Sequence, residues 1–251
     1  MTTSTEPIRL MLFGAAAAEL IPLIEEFPHL HQVEENPDIV VCFGGDGTLL
    51  AAELQYPGVP KVPILNSQRG HRCIPHPKED VIRGLAEGAL TQNTYMKLEG
   101  TVARLGRDAP VFQAMALNEF SVHMGRINSA VRFRLWLNGE PYDRGVEVLG
   151  DGFVICTPFG STAYFNQITR GYFTRGMGIA FKATSEHTDH LVLPPETEMR
   201  VLITRGPAVL AFDSSLDYHT MEEGDELVVR QHAEGATILT CDPVKRLDEP
   251  F

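Results

Sequence analysis

Ile39-Val40-Val41-Cys42-Phe43-Gly44-Gly45-Asp46-Gly47-Thr48-Leu49-Leu50 carries the change of local structure from which the rest of the chain can be read. Its apolar run, mostly β-branched or aromatic, suits a buried strand and is too short for most helices. Gly44 and Gly45 stop the run, and residues 48–54 read as a helix start, with the Thr48 hydroxyl as a cap for an orphan backbone N–H. Glycines at such a turn permit positive φ and let a ligand approach the backbone. A helix N-terminus behind them favours an anion. Gly44, Gly45, Gly47 and Thr48 are therefore candidate phosphate-binding residues. Asp46 is the odd member, because a carboxylate beside a phosphate is costly unless it takes a proton or holds a metal. The alternative is a plain sharp turn in which Asp46 makes an Asx hydrogen bond.

Upstream, residues 8–13 read as a first strand ended by Gly14, and 15–27 as a helix that Pro22 kinks or starts. Residues 31–33 read as an extended edge, 62–65 as a third strand and 78–86 as an amphipathic helix ended near Gly88. This alternation predicts a parallel, Rossmann-like α/β domain, with ligands bound beyond the carboxyl ends of its strands, where 44–48 would sit. After about residue 94 the pattern changes to successive strands, at 95–104, 111–112, 119–124, 130–137, 145–148, 199–204, 208–213, 226–230 and 237–240. Residues 131–137 alternate apolar and polar side chains, as a sheet with one wet face requires. Asn138-Gly139 then gives a strong hairpin signal. The expected fold is an α/β domain over 1–95 followed by an all-β, sandwich-like domain over 96–251, the last residues being free to pack back on the first domain.

The totals narrow the function. A chain of 251 residues with net charge −12 is a poor candidate for nonspecific binding to nucleic acid or an anionic membrane. Polyanionic substrates would need local cations or a divalent metal. The four cysteines, Cys42, Cys73, Cys156 and Cys241, are widely spaced and unpaired in sequence, which argues against a disulfide framework or structural zinc. The N-terminal residues show no signal-peptide pattern and no apolar run reaches membrane-spanning length, so the expected location is cytoplasmic.

Two later motifs complete the set. Asn118-Glu119 places an amide beside a carboxylate at a strand start. Alone, such a pair is usually solvated. Gly150-Asp151-Gly152 opens an apolar strand that stops at Thr157-Pro158 and continues as Phe159-Gly160-Ser161-Thr162-Ala163-Tyr164. Gly160, Ser161, Thr162 and Ala163 offer approachable N–H groups and two hydroxyls, and Tyr164 a flat apolar face, a combination suited to a base carrying ribose or phosphate. The plainer alternative is a hydroxyl-rich turn that caps a helix.

In chain order, GGDGT, NE and DG–apolar strand–TPxGSTAY resemble the signature segments of the NAD kinase family, relatives of the diacylglycerol and sphingosine kinases. Asp213, after an apolar strand, and the 223–227 turn extend the likeness over about residues 38–242. The resemblance implies transfer of the ATP γ-phosphoryl group to the 2′-hydroxyl of the adenosine ribose of NAD. It implies Asp46 as acceptor of the hydroxyl proton, with Gly44, Gly45, Gly47 and Thr48 facing phosphates. Asn118 and Glu119 would grip ribose hydroxyls or a base, and Asp151 the nicotinamide-side ribose or amide. Thr157 and Gly160 to Tyr164 would line the adenine pocket, with Asp213 also on the NAD side. It further implies Mg²⁺ or another divalent cation with ATP, and a homodimer or homotetramer. An ordinary aspartate is a weak base at neutral pH, but a loose transition state releases the proton late, so proximity is the main requirement.

The chain departs from the family pattern at 66–74, after Tyr164, at 185–190 where a Ser-Asn-Arg type segment is usual, and at 213–215. At 66–74 only Gly70 of a glycine-rich, apolar segment is retained, and Arg69, His71 and Arg72 add a basic cluster, with Arg69 and Arg72 as candidate phosphate ligands. The segment after Tyr164 is bulkier, and Asp213-Ser214-Ser215 stands where Asp-Gly-Gln is usual. His187 and His190 have metal-ligand spacing without a third ligand, and a solvated loop is the better reading there. These changes leave two alternatives: a kinase for another hydroxylated small molecule, or a non-catalytic dinucleotide sensor.

Overall fold

A computed structural model of the chain describes residues 6–67 and 70–241. The chain forms two compact units, one from the residues up to Tyr95 together with those from Gly235 onward, the other Met96–Glu234. The first is built on a six-stranded sheet in the order Leu30–Gln32, Ile8–Phe13, Ile39–Gly44, Lys61–Leu65, Ala236–Thr240, Thr91–Tyr95. Neighbours along the first five strands are parallel, and the last is antiparallel. In the central Ile39–Gly44 strand, Val40, Val41, Cys42 and Phe43 are all buried, which is why its sequence is a continuous apolar run. Helix Asp46–Gln55 follows it directly, burying Leu49, Leu50, Ala52 and Glu53. Helix Lys78–Ala86 turns Val81, Ile82 and Leu85 into the same core as Leu10, Val41, Val62 and Ile64.

Two expectations fail here. The long helix over 15–27 is a 3₁₀ turn, Ala17–Leu20, followed by a single α turn, Ile21–Ile24, because Pro22 sits in the first turn of the latter and cannot donate back into a preceding helix. The single strand over 95–104 is two strands, Thr91–Tyr95 in the first unit's sheet and Leu98–Ala103 in the second unit.

The second unit is a sandwich of two antiparallel sheets. One runs Glu140–Pro141, Val131–Leu137, Met199–Arg205, Glu226–Gln231, Leu98–Ala103, Phe112–Ala116, and Val148–Gly150 also pairs with Val131–Leu137. The other runs His190–Leu193, Met177–Lys182, Gly152–Cys156, Glu119–Met124, Ala208–Phe212, His219–Met221. Their facing sides share one core, including Leu98, Phe120, Phe133, Phe153, Ile155, Val201 and Leu210. Phe133 and Phe153 meet at 4.8 Å between ring centroids. Gly100 lets the Phe120 ring lie directly on its backbone, since a Cβ there would be 2.7 Å from that ring. The alternation in Val131–Leu137 places Val131, Phe133 and Leu135 inside and Arg134 outside. Asn138 and Gly139 both take positive φ, 52° and 84°, the requirement of a tight type I′ hairpin turn. An α/β unit followed by a β-rich unit is thus the fold. Among the described residues, no helix is long and apolar enough to cross a membrane.

Candidate active site

In the first unit, Gly44 ends the central strand, Gly45 is the extended N-cap, and Asp46 is the first residue of the helix. Thr48 is not the cap: its N–H already donates to the Gly45 carbonyl at 2.9 Å, one turn inside the helix. The helix starts earlier than expected because Asp46 is well placed there, a carboxylate against the positive end of the helix dipole. Gly44 is required for space rather than for φ, since a Cβ would stand 2.2 Å from Thr48 Oγ1.

Asp46 reaches the 70–74 segment. Its Oδ2 accepts the His71 N–H at 2.9 Å, its Oδ1 accepts the Arg72 N–H at 2.9 Å, and the Cys73 thiol lies 3.6 Å from Oδ1. That segment is held to the strand ends by Asn66 N–H to Gly44 O (2.8 Å) and Ile74 N–H to Pro63 O (2.7 Å). Burial, reinforced by the Asp46 charge, pushes the Cys73 thiol far up, so it is an inert thiol. The Arg72 guanidinium is held somewhat below its usual range by burial, with Tyr95 and Asp46 opposing that. The structure therefore brings Asp46, Gly44, Gly45, Gly47, Thr48 and Arg72 together around one turn. Arg69 lies outside the described residues.

In the second unit, Asp213 ends the Ala208–Phe212 strand at positive φ (43°). Its carboxylate accepts three backbone N–H groups, those of Leu117 (2.7 Å), Asn118 (2.7 Å) and Glu119 (3.1 Å). Asp213 thus holds the Asn118-Glu119 segment by its backbone, a job the sequence did not disclose. Thr157 works from the other side: its hydroxyl donates to Leu117 O (2.6 Å), and its N–H to Asn118 O (2.9 Å). The Gly160 N–H donates to Thr157 Oγ1 at 3.0 Å, and a Cβ on Gly160 would lie 2.3 Å from Asn118 O. Ser161 is fully buried, its hydroxyl engaged with the carbonyls of Pro158 (2.8 Å) and Phe173 (3.0 Å). Thr162 closes the 3₁₀ turn Gly160–Thr162, and Ala163 links it to helix Tyr164–Thr169. Thr157 and Gly160 therefore support the Leu117-Asn118 backbone, and Ser161 ties its own turn to Phe173.

The side chains left over are informative. Asn118 Oδ1 and Glu119 Oε2 are buried, yet neither has a hydrogen-bond partner among the described residues. Burial, with the Asp213 charge adding to it, pushes the Glu119 carboxyl up to about 8. A protonated Glu119 and an amide can each donate and accept, which suits hydroxyls of a sugar.

Asp151 and Tyr164 line a pocket of about 470 Å³ with His123, Met124, Ile168, Lys182 and Ala183. Lys182 is 7 % exposed, and its Nζ lies 2.9 Å from His123 Nδ1. The other ring nitrogen, Nε2, lies 2.6 Å from Ser121 Oγ. The His123 and Tyr164 rings stack at 5.9 Å, and Lys182 Nζ is 5.3 Å from the Tyr164 centroid. Burial lowers the Lys182 ammonium to about 7, with Asp151 opposing, and it also lowers His123. Asp151 and Tyr164 were expected at opposite ends of a dinucleotide, and they share one pocket. His123 and Lys182 were missed; the available signal was a lysine closing the otherwise apolar Met177–Lys182 strand. No group of three or more His, Cys, Asp or Glu side chains that could hold a metal occurs among the described residues, His187 and His190 included.

No protein-family model matches the chain. It is 31 % identical over 235 residues to an NAD kinase of Gemmatimonas aurantiaca, the match covering 88 % of this chain and 78 % of that protein. Other curated NAD kinases match over shorter segments, so that the chain spans about half of their length (43 %, 44 % and 52 %). Among solved structures it resembles yeast NADH kinase complexed with NADH, with a TM-score of 0.83 and 14 % identity over 98 % of this chain and 86 % of that one. It also resembles an NAD kinase from Archaeoglobus fulgidus in complex with ATP, with a TM-score of 0.72 and 16 % identity over 92 % and 91 %. At these identities the structural likeness speaks for the fold.

Proposed function

The chain belongs to the NAD kinase family, and we propose that it transfers the γ-phosphoryl group of ATP to the 2′-hydroxyl of the adenosine ribose of NAD, giving NADP. The observation that carries the acceptor side is the pair of orphaned, buried acceptors Asn118 Oδ1 and Glu119 Oε2, on a backbone fixed by Asp213 and Thr157. Unsatisfied buried polar groups cost about 1–3 kcal/mol each, so a site retains them where a ligand completes them. Ribose hydroxyls are such ligands.

On the donor side, Gly44, Gly45, Gly47 and Thr48 would receive phosphates at the helix N-terminus, with Arg72 adding positive charge. Asp46 would take the ribose proton. Its two N–H donors fix the carboxylate, and a carboxylate keeps further lone pairs for a hydroxyl. Positioning and charge neutralisation account for most of phosphoryl-transfer catalysis, so this modest set of groups suffices. The described residues do not form a cage for a resident metal. A divalent cation such as Mg²⁺ would then come with the ATP phosphates and keep several waters. We also propose a homodimer or homotetramer; light scattering that returns the monomer mass refutes that part.

The test is NADP formation from ATP, Mg²⁺ and NAD by the purified chain. Absence of product sinks the proposal. Product formed equally well by Asp46→Asn sinks the role given to Asp46. A panel of other hydroxylated acceptors with labelled ATP separates the alternative of a different small-molecule kinase, which the altered 66–74 segment would suit.

A further inference from the structure

The pocket around Lys182 contains more chemistry than binding of an adenosine ribose requires. An aromatic face from Tyr164, stacked on His123, forms one wall. Beside it a buried amine hydrogen-bonds to His123 Nδ1, which fixes that nitrogen as the acceptor and Nε2–H as donor to Ser121 Oγ. Asp151 supplies the carboxylate on the remaining side. The groups facing the Lys182 amine are therefore His123 from the Glu119–Met124 strand, Asp151 from the turn before Gly152–Cys156, and Tyr164 from the following helix.

The flat aromatic wall suits a planar heteroaromatic ring. With a cation in the wall the ring's own charge becomes decisive, since like charges a few ångströms apart in a water-poor site repel strongly. A nicotinamide ring exists in two charge states: the oxidised ring is a cation and the reduced ring is neutral. We infer that Lys182, positioned by His123, makes this pocket discriminate by redox state, accepting the neutral reduced nicotinamide of NADH over the cationic ring of NAD. This rests on the proposed dinucleotide acceptor and concerns which form of it is taken. Asp151 strengthens the effect: with Lys182 present its charge is answered, and without Lys182 it is left to attract a pyridinium. Burial weakens the hold of the Lys182 amine on its proton, so a pyridinium would displace that proton, and the discrimination is strongest below about pH 7.

The experiment measures dissociation constants of NADH and NAD by calorimetry at about pH 6.5, where an amine titrating near 7 is largely charged, with NADP(H) formation followed in parallel. Wild type should bind NADH about fourfold more tightly than NAD, because an amine titrating near 7 escapes the pyridinium charge by releasing its proton, which at about pH 6.5 limits the penalty to that factor. Lys182→Met and Lys182→Gln should each abolish the preference or reverse it toward NAD, since Asp151 is then unanswered, and Lys182→Arg should retain the preference, a pattern that lost packing alone would not give. A wild-type ratio near unity, or in favour of NAD, overturns the inference without any variant. A preference that Lys182→Met and Lys182→Gln leave unmoved also overturns it, and assigns the pocket to the adenine ring. Binding of both dinucleotides without phosphorylation sinks the kinase reading while the ratio still decides this one; binding of neither sinks both.

Discussion

Glu119 ties the stability of the second unit to pH with an unusual sign. Its carboxyl is raised from an ordinary 4.5 to about 8, first by burial and then by the Asp213 charge. In the unfolded chain Glu119 ionises near its ordinary value, whereas in the fold it keeps its proton until about pH 8. Between these limits the native state binds more protons than the unfolded state, so stability falls as pH rises. The contribution is fully present below pH 4.5, is lost progressively up to about 8, and then levels off. At roughly 1.4 kcal/mol per unit the full effect is about 3–5 kcal/mol.

Urea unfolding of wild type and Glu119→Gln, followed by circular dichroism at about pH 5, 7 and 9, isolates this contribution because every other titrating group is common to both proteins. Glu119→Gln should gain on wild type with rising pH and be the more stable protein at the alkaline end. Asp213→Asn should give a shallower profile than wild type, since the like charge that helps raise Glu119 is gone. Parallel profiles for wild type and Glu119→Gln would show that Glu119 ionises normally in the fold, and would remove the claim that it meets a ligand hydroxyl as a neutral acid.

Asp46→Asn should lower NADP formation by about 10²–10⁴-fold, the usual worth of a positioned proton acceptor, with ATP binding by calorimetry little changed. Gly160→Ala places a Cβ 2.3 Å from Asn118 O and should cost roughly 1–3 kcal/mol in thermal unfolding while raising KM for the dinucleotide more than it lowers kcat. Lys61 and Glu53 form a buried ion pair in the first unit, and Lys61 Nζ also donates to Tyr56 O at 2.6 Å at the end of the Asp46–Gln55 helix. Lys61→Met alone should cost about 3–5 kcal/mol by leaving a buried carboxylate, and Lys61→Met with Glu53→Leu should recover most of it. A double variant no more stable than the single one would show that the carboxylate was not the source of the loss.

What the sequence disclosed was whatever local physics decides. A run of apolar residues stopped by two glycines announced the central strand and the turn, and Asn138-Gly139 announced a hairpin whose two positive φ values are present. Thr48 was misread because sequence shows that a hydroxyl is available near a helix start, not which N–H is already satisfied by a carbonyl. The Met177–Lys182 strand was passed over because all six of its residues are buried, so it has no polar alternation to betray a period of two. Lys182 and His123 meet across two strands that are distant in sequence and joined through Gly152–Cys156. No spacing rule could have paired them.

The motif residues also divide in a way that sequence resemblance conceals. Asp213, Thr157, Gly160 and Ser161 carry the most recognisable letters of the later signature, yet the hydrogen bonds of the three side chains, and the close packing at Gly160, serve neighbouring backbone. Replacing them would move the neighbouring backbone, that of Asn118 and Glu119 included. Those two, the least distinctive pair in the sequence, each carry a buried polar atom with no hydrogen-bond partner among the described residues. Loss of dinucleotide binding in a Thr157 or Ser161 variant is consequently weak evidence of contact, because a shift of the scaffold produces the same loss. Contact is better judged by substitutions that keep the backbone and change only the polar head of the Asn118 and Glu119 side chains. Asn118→Asp retains Oδ1 and removes the amide donors, while Glu119→Gln keeps a donor and an acceptor without the acid. If sugar hydroxyls complete these groups, the first change should weaken dinucleotide binding more than the second, since it buries a further charge beside that of Asp213.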